Sequence, residues 1–210
     1  MSKKLKDFGL YFITDSKLTK KTVIEDVKAA IKGGVKIVQY REKETSTRQM
    51  IKEAEEIKKI CSKNNVIFIV NDRIDVALAV NADGLHISEE DMSYKYAREL
   101  LKNKIIGLSA HSVVQALNNQ KLGADYTSIG PIYHTTTKIP ARKPIGLEPV
   151  KQLKNKLKIP FVAIGGINNA NINDVLKAGA KNIAMISGIV AKKDVKGTVK
   201  KIIKTINSYK

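Results

Sequence analysis

Short runs rich in β-branched and aromatic residues recur eight times along the chain. They are GLYFIT (9–14), VKIVQY (35–40), VIFIV (66–70), DGLHI (83–87), KIIGLS (104–109), DYTSIG (125–130), PFVAIG (160–165) and NIAMIS (182–187). Between them lie amphipathic stretches such as RQMIKEAEEIKKICSK and NINDVLKAGA, each long enough for a helix. Strands joined through helical crossovers must run parallel, and eight such units of about 26 residues each match a closed (β/α)₈ TIM barrel better than an open sheet. The pattern therefore predicts an α/β fold of eight strands and eight helices in one domain over residues 1–210.

The glycines agree with this reading. GxGxxG is absent after the first strand, which argues against an open dinucleotide-binding sheet. Gly33-Gly34, Gly123 and Gly179 fall just before strands, where a helix C-cap in the left-handed conformation costs glycine nothing.

Composition narrows the class further. With 43% apolar and 28% charged residues and no low-complexity tract, the 210 residues suit a globular domain with a full core. No apolar run approaches the roughly 20 residues that span a bilayer, and MSKKLKDFG lacks the apolar segment of a secretory signal, so a cytoplasmic protein without membrane contact is expected. Cys61 is the only cysteine, in register with Met50, Ala54 and Ile57 on the apolar face of a helix, and reads as a structural thiol.

The formal net charge of +18 admits nucleic acid, an anionic surface or anionic small substrates as partners. In VKGTVKKIIKTI, however, Val195, Val199, Ile202 and Ile206 form an inner stripe and the lysines lie outside it as a solvated face. A basic nucleic-acid-binding protein also needs aromatic platforms, and aromatic residues make up only 5%. Small anionic substrates are therefore the expected partners. A homo-oligomer stays open.

In such barrels the chemistry sits at the C-terminal ends of the strands. Those ends read Thr14-Asp15, QYREK (39–43), Asn71-Asp72-Arg73, Ser88-Glu89-Glu90-Asp91, Ser109-Ala110-His111, GPIYHTTTK, Gly165-Gly166 and Ser187-Gly188. Gly166 and Ser187 precede helices, where small residues let phosphate approach backbone N–H groups. Arg41, Lys43, Ser109 and Lys138 supply cationic and hydroxyl donors suited to a more highly charged group such as a diphosphate. Arg41 is one of only five arginines beside thirty-three lysines. As rim residues, Arg41 and Lys138 are expected to make few core contacts.

Asp72 and Asp91 would repel phosphate on their own. Beside a diphosphate, two carboxylates are what Mg²⁺ takes together with phosphate oxygens and water, so one Mg²⁺ per subunit is expected. His86, His111 and His134 also lie at or beyond strand ends. A zinc site would need all three rings aimed at one point, and histidines scattered over strands more often make hydrogen bonds.

The stretches YFITD, QYREK, NDR, GLHISEEDM, GLSAHS, GADY, SIGPIY, TTTK, IGGIN and AMISGI, in that order, resemble the thiamine phosphate synthase family over essentially the whole chain. The resemblance implies a transferase of thiamine biosynthesis. Such an enzyme joins hydroxymethylpyrimidine diphosphate to hydroxyethylthiazole phosphate with Mg²⁺, giving thiamine phosphate and pyrophosphate. It implies that Gln39, Tyr40, Arg41, Glu42, Lys43, Asn71, Ser109 and Lys138 contact the pyrimidine diphosphate, with Arg41, Lys43, Ser109 and Lys138 acting in catalysis. It further implies that Asp72 and Asp91 hold magnesium, and that Thr135, Thr136, Thr137, Gly166, Ile186 and Ser187 receive the thiazole phosphate. The family chemistry is dissociative and needs no nucleophile-base pair.

Three places depart from the family pattern: Ser88-Glu89 stands where Gly-Gln is expected, His134 where proline is common, and IPARKPIG lacks an acidic residue. A thiazole tautomerase of the same barrel family is the alternative. It has no need of a diphosphate apparatus, and Arg41, Lys43, Asp72, Asp91 and Lys138 speak against it.

Overall fold

The computed structural model describes residues 5, 7–137 and 142–209. Eight strands, β1 (Leu10–Ile13), β2 (Ile37–Tyr40), β3 (Ile67–Asn71), β4 (Gly84–Ile87), β5 (Ile105–Leu108), β6 (Tyr126–Ile129), β7 (Phe161–Ala163) and β8 (Asn182–Met185), close into one barrel in sequence order. All pairings are parallel, and the ring closes where Tyr11 of β1 sits opposite Ala184 of β8.

The outer layer consists of α1 (Val23–Gly33), α2 (Thr47–Lys63), α3 (Ile74–Ala79), α4 (Tyr94–Leu101), α5 (Val113–Leu122), α6 (Glu148–Lys156), α7 (Ile172–Lys177), α8 (Ser187–Val190) and α9 (Val195–Asn207). The sequence pattern predicts eight helices; nine are present among the described residues. The extra one is α8, a single turn directly after β8, too short to carry a periodic apolar signal of its own. No helix among the described residues is long and apolar enough to cross a membrane.

Because both faces of each strand are covered, the strands read as continuous apolar runs. Side chains on the outer face, such as Phe12, Val38, Phe68 and Ile106, join the helices in the larger core. Those on the inner face, including Tyr11, Ile13, Ile37, Ile69, Tyr126 and Val162, fill the barrel. Alternation along each strand thus sorts the sequence into two cores.

The helices dock by the stripes their sequences predict. Met50, Ala54, Ile57 and Cys61 bury one face of α2, and burial pushes the Cys61 thiol up to about 12. Val195, Val199, Ile202 and Ile206 bury one face of α9. A Cβ on Gly33 would stand 2.5 Å from Val199 Cγ1, so the absence of a side chain at the end of α1 lets α9 close against it. Gly34 and Gly123 cap α1 and α5 in the left-handed conformation. At the N-terminal end of the barrel, Asn182 accepts hydrogen bonds from the Phe8 and Gly9 amides and donates to the Phe161 carbonyl, tying the chain start to β7 and β8.

Candidate active site

The pocket opens at the C-terminal ends of the strands. Its wall on the side of β2, β3 and β4 carries Gln39, Arg41, Lys43, Asn71, Asp72 and Asp91. The opposite wall carries Ser109, Thr135, Thr137, Gly166, Ile186 and Ser187. A second recess shares Arg41, Lys43, Thr135 and Thr137 with it and continues over Thr136, Asn168 and Lys192. The predicted rim residues from seven of the eight strands therefore meet around one space.

Arg41 is held on three sides. Its Nη1 lies 2.7 Å from Asp15 Oδ2, its Nη2 donates to the Thr137 carbonyl at 3.3 Å, and its amide donates to Thr14 Oγ1 at 2.9 Å. Asp15 is itself fixed, its Oδ1 accepting from the Lys17 and Leu18 amides. The guanidinium is thus aimed before any ligand arrives, an arrangement suited to a multiply charged anion.

Lys43 forms an ion pair with Asp72. The chain enters Asp72 in the left-handed conformation, φ 57°, which bends the backbone immediately beyond β3, and its amide donates to the His86 carbonyl at 2.8 Å. Burial pushes the Asp72 carboxyl above its ordinary range; the Lys43 ammonium opposes this, and the neighbouring Asp91 adds to it. Burial acts on Asp91 in the same direction, but hydrogen bonds from the Ser88 amide and hydroxyl, and from Asp72, hold it below its ordinary range. Two carboxylates in hydrogen-bond contact with opposite shifts form a local concentration of negative charge, and their hard oxygen donors suit Mg²⁺.

The opposite wall is built from hydroxyls and backbone. Thr135 donates to Thr137 Oγ1 at 3.2 Å. Gly166 has φ 66°, and a Cβ there would stand 2.5 Å from the His134 carbonyl, so only glycine lets the loop after β7 pass this close to the loop after β6. Ser187 opens α8. The polar groups of this wall are hydroxyls and glycine backbone, and Arg41 reaches it at the Thr137 carbonyl.

On the floor of the pocket, Tyr11 and Tyr126 join Gln39, His86 and Ser109, and these two tyrosines are what sequence reasoning missed. Gln39 Nε2 donates to the Tyr11 hydroxyl at 3.0 Å, Tyr11 and Tyr126 share a hydrogen bond of 2.8 Å, Tyr126 meets His86 Nδ1 at 3.0 Å, and His86 Nε2 meets Ser109 Oγ at 3.1 Å. Strand alternation was the available signal: Tyr11 shares a face with Ile13, and Tyr126 with Ser128. The His111 ring, by contrast, is engaged with the Gly130 carbonyl at 2.6 Å, and His134 is exposed.

Tyr40 does not reach the site. It follows inward-facing Gln39 and so points outward, where its hydroxyl donates to Glu53 of α2 at 2.8 Å and its ring is wholly buried. Glu42 turns back on its own loop: its carboxylate accepts from the Lys43 and Glu44 amides at 2.8 and 2.7 Å and borders only the outer recess. Burial would raise this carboxyl, but hydrogen bonds from Ser16 and those amides bring it below its ordinary range. Thr136 likewise faces the outer recess. Lys138 lies outside the described residues. Glu89, one of the departures from the family pattern, pairs with Arg142 at 2.7 Å, and Glu90 does so at 3.3 Å.

Comparison with known proteins agrees with the fold. Residues 10–189 match the family model described as thiamine monophosphate synthase. The chain is 49% identical over 207 residues to a thiamine-phosphate synthase of Methanosarcina mazei, covering 98% of this chain and 86% of that protein. It is 48% identical over 200 residues to one of Chloroflexus aurantiacus, covering 93% and 91%. Among solved structures, thiamine phosphate pyrophosphorylase from Pyrococcus furiosus superposes with a TM-score of 0.89 at 37% identity, covering 97% of each chain.

Proposed function

The chain belongs to the thiamine monophosphate synthase family, and we propose the following division of labour within its rim. As a member of that family it is a transferase that joins hydroxymethylpyrimidine diphosphate to hydroxyethylthiazole phosphate, giving thiamine phosphate and pyrophosphate. The observation that carries the assignment of residues is the contrast between the two walls: fixed cations beside a carboxylate pair on one, hydroxyls and glycine backbone on the other.

Arg41 and Lys43 take the diphosphate, with Lys138 as a further donor. Gln39, Asn71 and Ser109 line the inner part and take the pyrimidine. Thr135, Thr137, Gly166, Ile186 and Ser187 receive the thiazole phosphate. Asp72 and Asp91 would hold Mg²⁺, which when bound offsets the charge of the diphosphate oxygens.

In the reaction the bond from the pyrimidine methylene carbon to the diphosphate oxygen breaks, and its electron pair leaves with the diphosphate. The thiazole nitrogen then donates its lone pair to that carbon. The negative charge that develops on the leaving oxygen faces Arg41, whose position is already set by Asp15 and the Thr137 carbonyl, so little reorganisation is needed. The second wall orients the thiazole without adding positive charge next to the cationic carbon. The reading sets this chemistry in the cytoplasm.

Product analysis tests it. Purified protein mixed with both substrates and magnesium should yield thiamine phosphate and one equivalent of pyrophosphate. Absence of both products would overturn the assignment.

A further inference from the structure

The hydrogen bonds along the pocket floor run through five strands without a break, from Gln39 of β2 through Tyr11 of β1, Tyr126 of β6 and His86 of β4 to Ser109 beyond β5. Gln39, Tyr11, Tyr126 and His86 are all buried, the last with 8% exposure, and every member borders the pocket. The fold makes room for this chain specifically. A Cβ on Gly107 of β5 would stand 2.0 Å from Tyr126 Cζ, so the Tyr126 ring occupies the space that any other residue at 107 would fill. The His86 ring stacks on Tyr126 at 5.5 Å between centroids, which holds the imidazole in the plane the chain requires.

A hydroxyl has one proton and two lone pairs, so a buried chain that gives every proton a partner runs head to tail. Gln39 donates its amide N–H to Tyr11. Continued head to tail from that bond, the order in which every buried proton has a partner has Tyr11 giving its proton to Tyr126 and Tyr126 giving its own to His86 Nδ1. His86 is then the tautomer protonated at Nε2, and it donates to Ser109 Oγ. Ser109 is left with a proton to donate, and Gln39 with its amide oxygen to accept. Bonds aligned head to tail polarise and strengthen one another.

We propose that this chain is a one-way relay that selects an aminopyrimidine over its oxo counterpart, with Tyr11, Tyr126 and His86 as positioning residues behind Gln39 and Ser109. The proposal rests on the assignment of the inner pocket to the pyrimidine. An aminopyrimidine presents an N–H donor beside a ring-nitrogen acceptor, the complement of a Gln39 oxygen and a Ser109 hydroxyl proton. The oxo form presents a carbonyl acceptor beside a ring N–H donor, so both ends of the relay would meet a like partner. A buried site whose polar groups are left facing like partners rejects the wrong ligand far more strongly than a missing methyl group would.

Two measurements test the relay. The first compares kcat/KM for the aminopyrimidine diphosphate and its 4-oxo analogue in the parent and in Tyr126→Phe. The parent should favour the amino form by at least about 100-fold. Loss of the Tyr126 hydroxyl breaks the chain between Tyr11 and His86, so Tyr126→Phe should shrink that preference at least tenfold while leaving the KM for thiazole phosphate unchanged. If Tyr126→Phe does not fold, Tyr11→Phe, which cuts the same chain one bond earlier, is read in its place. The second measurement, ¹⁵N chemical shifts of the His86 ring in the parent, should show Nε2 protonated and Nδ1 bare. An equal preference ratio in parent and variant, a parent preference below tenfold, or the opposite tautomer would each overturn the relay. Failure of the parent to form thiamine phosphate from the amino substrate would instead overturn the reading on which it rests.

Discussion

Arg41 Nη1 lies 2.7 Å from Asp15 Oδ2, and both side chains are largely shielded from water, with 16% and 8% exposure. The pair joins the ends of two neighbouring strands and fixes a cation at the pocket wall. The sequence-based expectation that Arg41 makes few core contacts therefore gives way to a different one: the residue is both structural and functional. Removing one member of a shielded ion pair leaves the other without its partner, which costs more than the intact pair contributes.

Arg41→Ala should accordingly lower stability by about 2 kcal/mol, since the Asp15 carboxylate loses a charged partner but keeps two backbone amides. For a chain of this size that corresponds to a fall of about 4–8 °C in Tm. Turnover should fall at least about 100-fold through loss of charge stabilisation on the leaving group. Asp15→Asn should weaken activity less, because the guanidinium remains. Thermal melting together with saturating-substrate kinetics checks both; an Arg41→Ala enzyme with parental turnover would remove Arg41 from the diphosphate site.

Asp26 gives a prediction about pH. It is buried on α1 with 3% exposure, its Oδ2 has no hydrogen-bond partner, and burial raises its carboxyl above the ordinary value, opposed by a hydrogen bond from Thr19 and the charge of Lys21. A raised folded-state pKa means that ionisation is easier in the unfolded chain. Stability is thus lost as pH climbs from the unfolded value through the folded one, and the cost persists at neutral pH. Asp26→Asn should raise Tm at pH 7 by about 2–4 °C, and the gain should narrow as pH falls toward about 4. The favourable placement of a carboxylate in the first turn of α1 works against this, but burial is the larger influence. A lower Tm at pH 7 would show that the helix-terminus charge dominates.

The barrel was legible because its signal is repeated: eight apolar runs of similar length cannot all be mistaken for something else, and each appears as a strand. The rim was legible because strand ends are known once strands are. What the sequence hid was direction. QYREK reads as a block, yet Gln39 and Arg41 face the pocket while Tyr40 faces α2, and Glu42 folds back on the amides of its own loop. The relay was hidden by distance, since Tyr11 and Tyr126 stand 115 positions apart and meet only because β1 and β6 send side chains into the same barrel interior. The helix after β8 was hidden by brevity.

Thr137 separates the two phosphate sites. Its carbonyl accepts from Arg41 while its hydroxyl pairs with Thr135, so a side-chain change leaves the Arg41 contact in place. Thr137→Val should raise the KM for thiazole phosphate about 10- to 100-fold, the equivalent of one lost hydrogen bond to a charged group, and change the KM for the pyrimidine diphosphate less than about twofold. Steady-state kinetics with each substrate varied in turn decides it. Equal effects on both would mean that the walls are not divided as assigned.

The carboxylate pair carries the remaining prediction. Asp72 and Asp91 touch across the ends of β3 and β4, and Lys43 neutralises only one of them. Asn at position 91 can still accept from the Ser88 amide and hydroxyl, and Asn at position 72 tolerates the left-handed backbone, so either variant should fold. Each removes one negative charge from the proposed magnesium site. The parent should lose activity in EDTA and regain it with Mg²⁺, whereas Asp91→Asn should need at least about tenfold more Mg²⁺ for half-maximal rate, since a neutral amide oxygen is a weaker ligand for a hard dication than a carboxylate. Asp72→Asn should show the same shift and in addition release Lys43 toward the diphosphate, so its KM for the pyrimidine substrate should rise less than that of Asp91→Asn. A purely structural role for either carboxylate would lower Tm without moving the magnesium titration. Full activity in EDTA, or an unchanged titration in both variants, would remove the metal from the site and leave cationic side chains to counter the charge of the departing diphosphate.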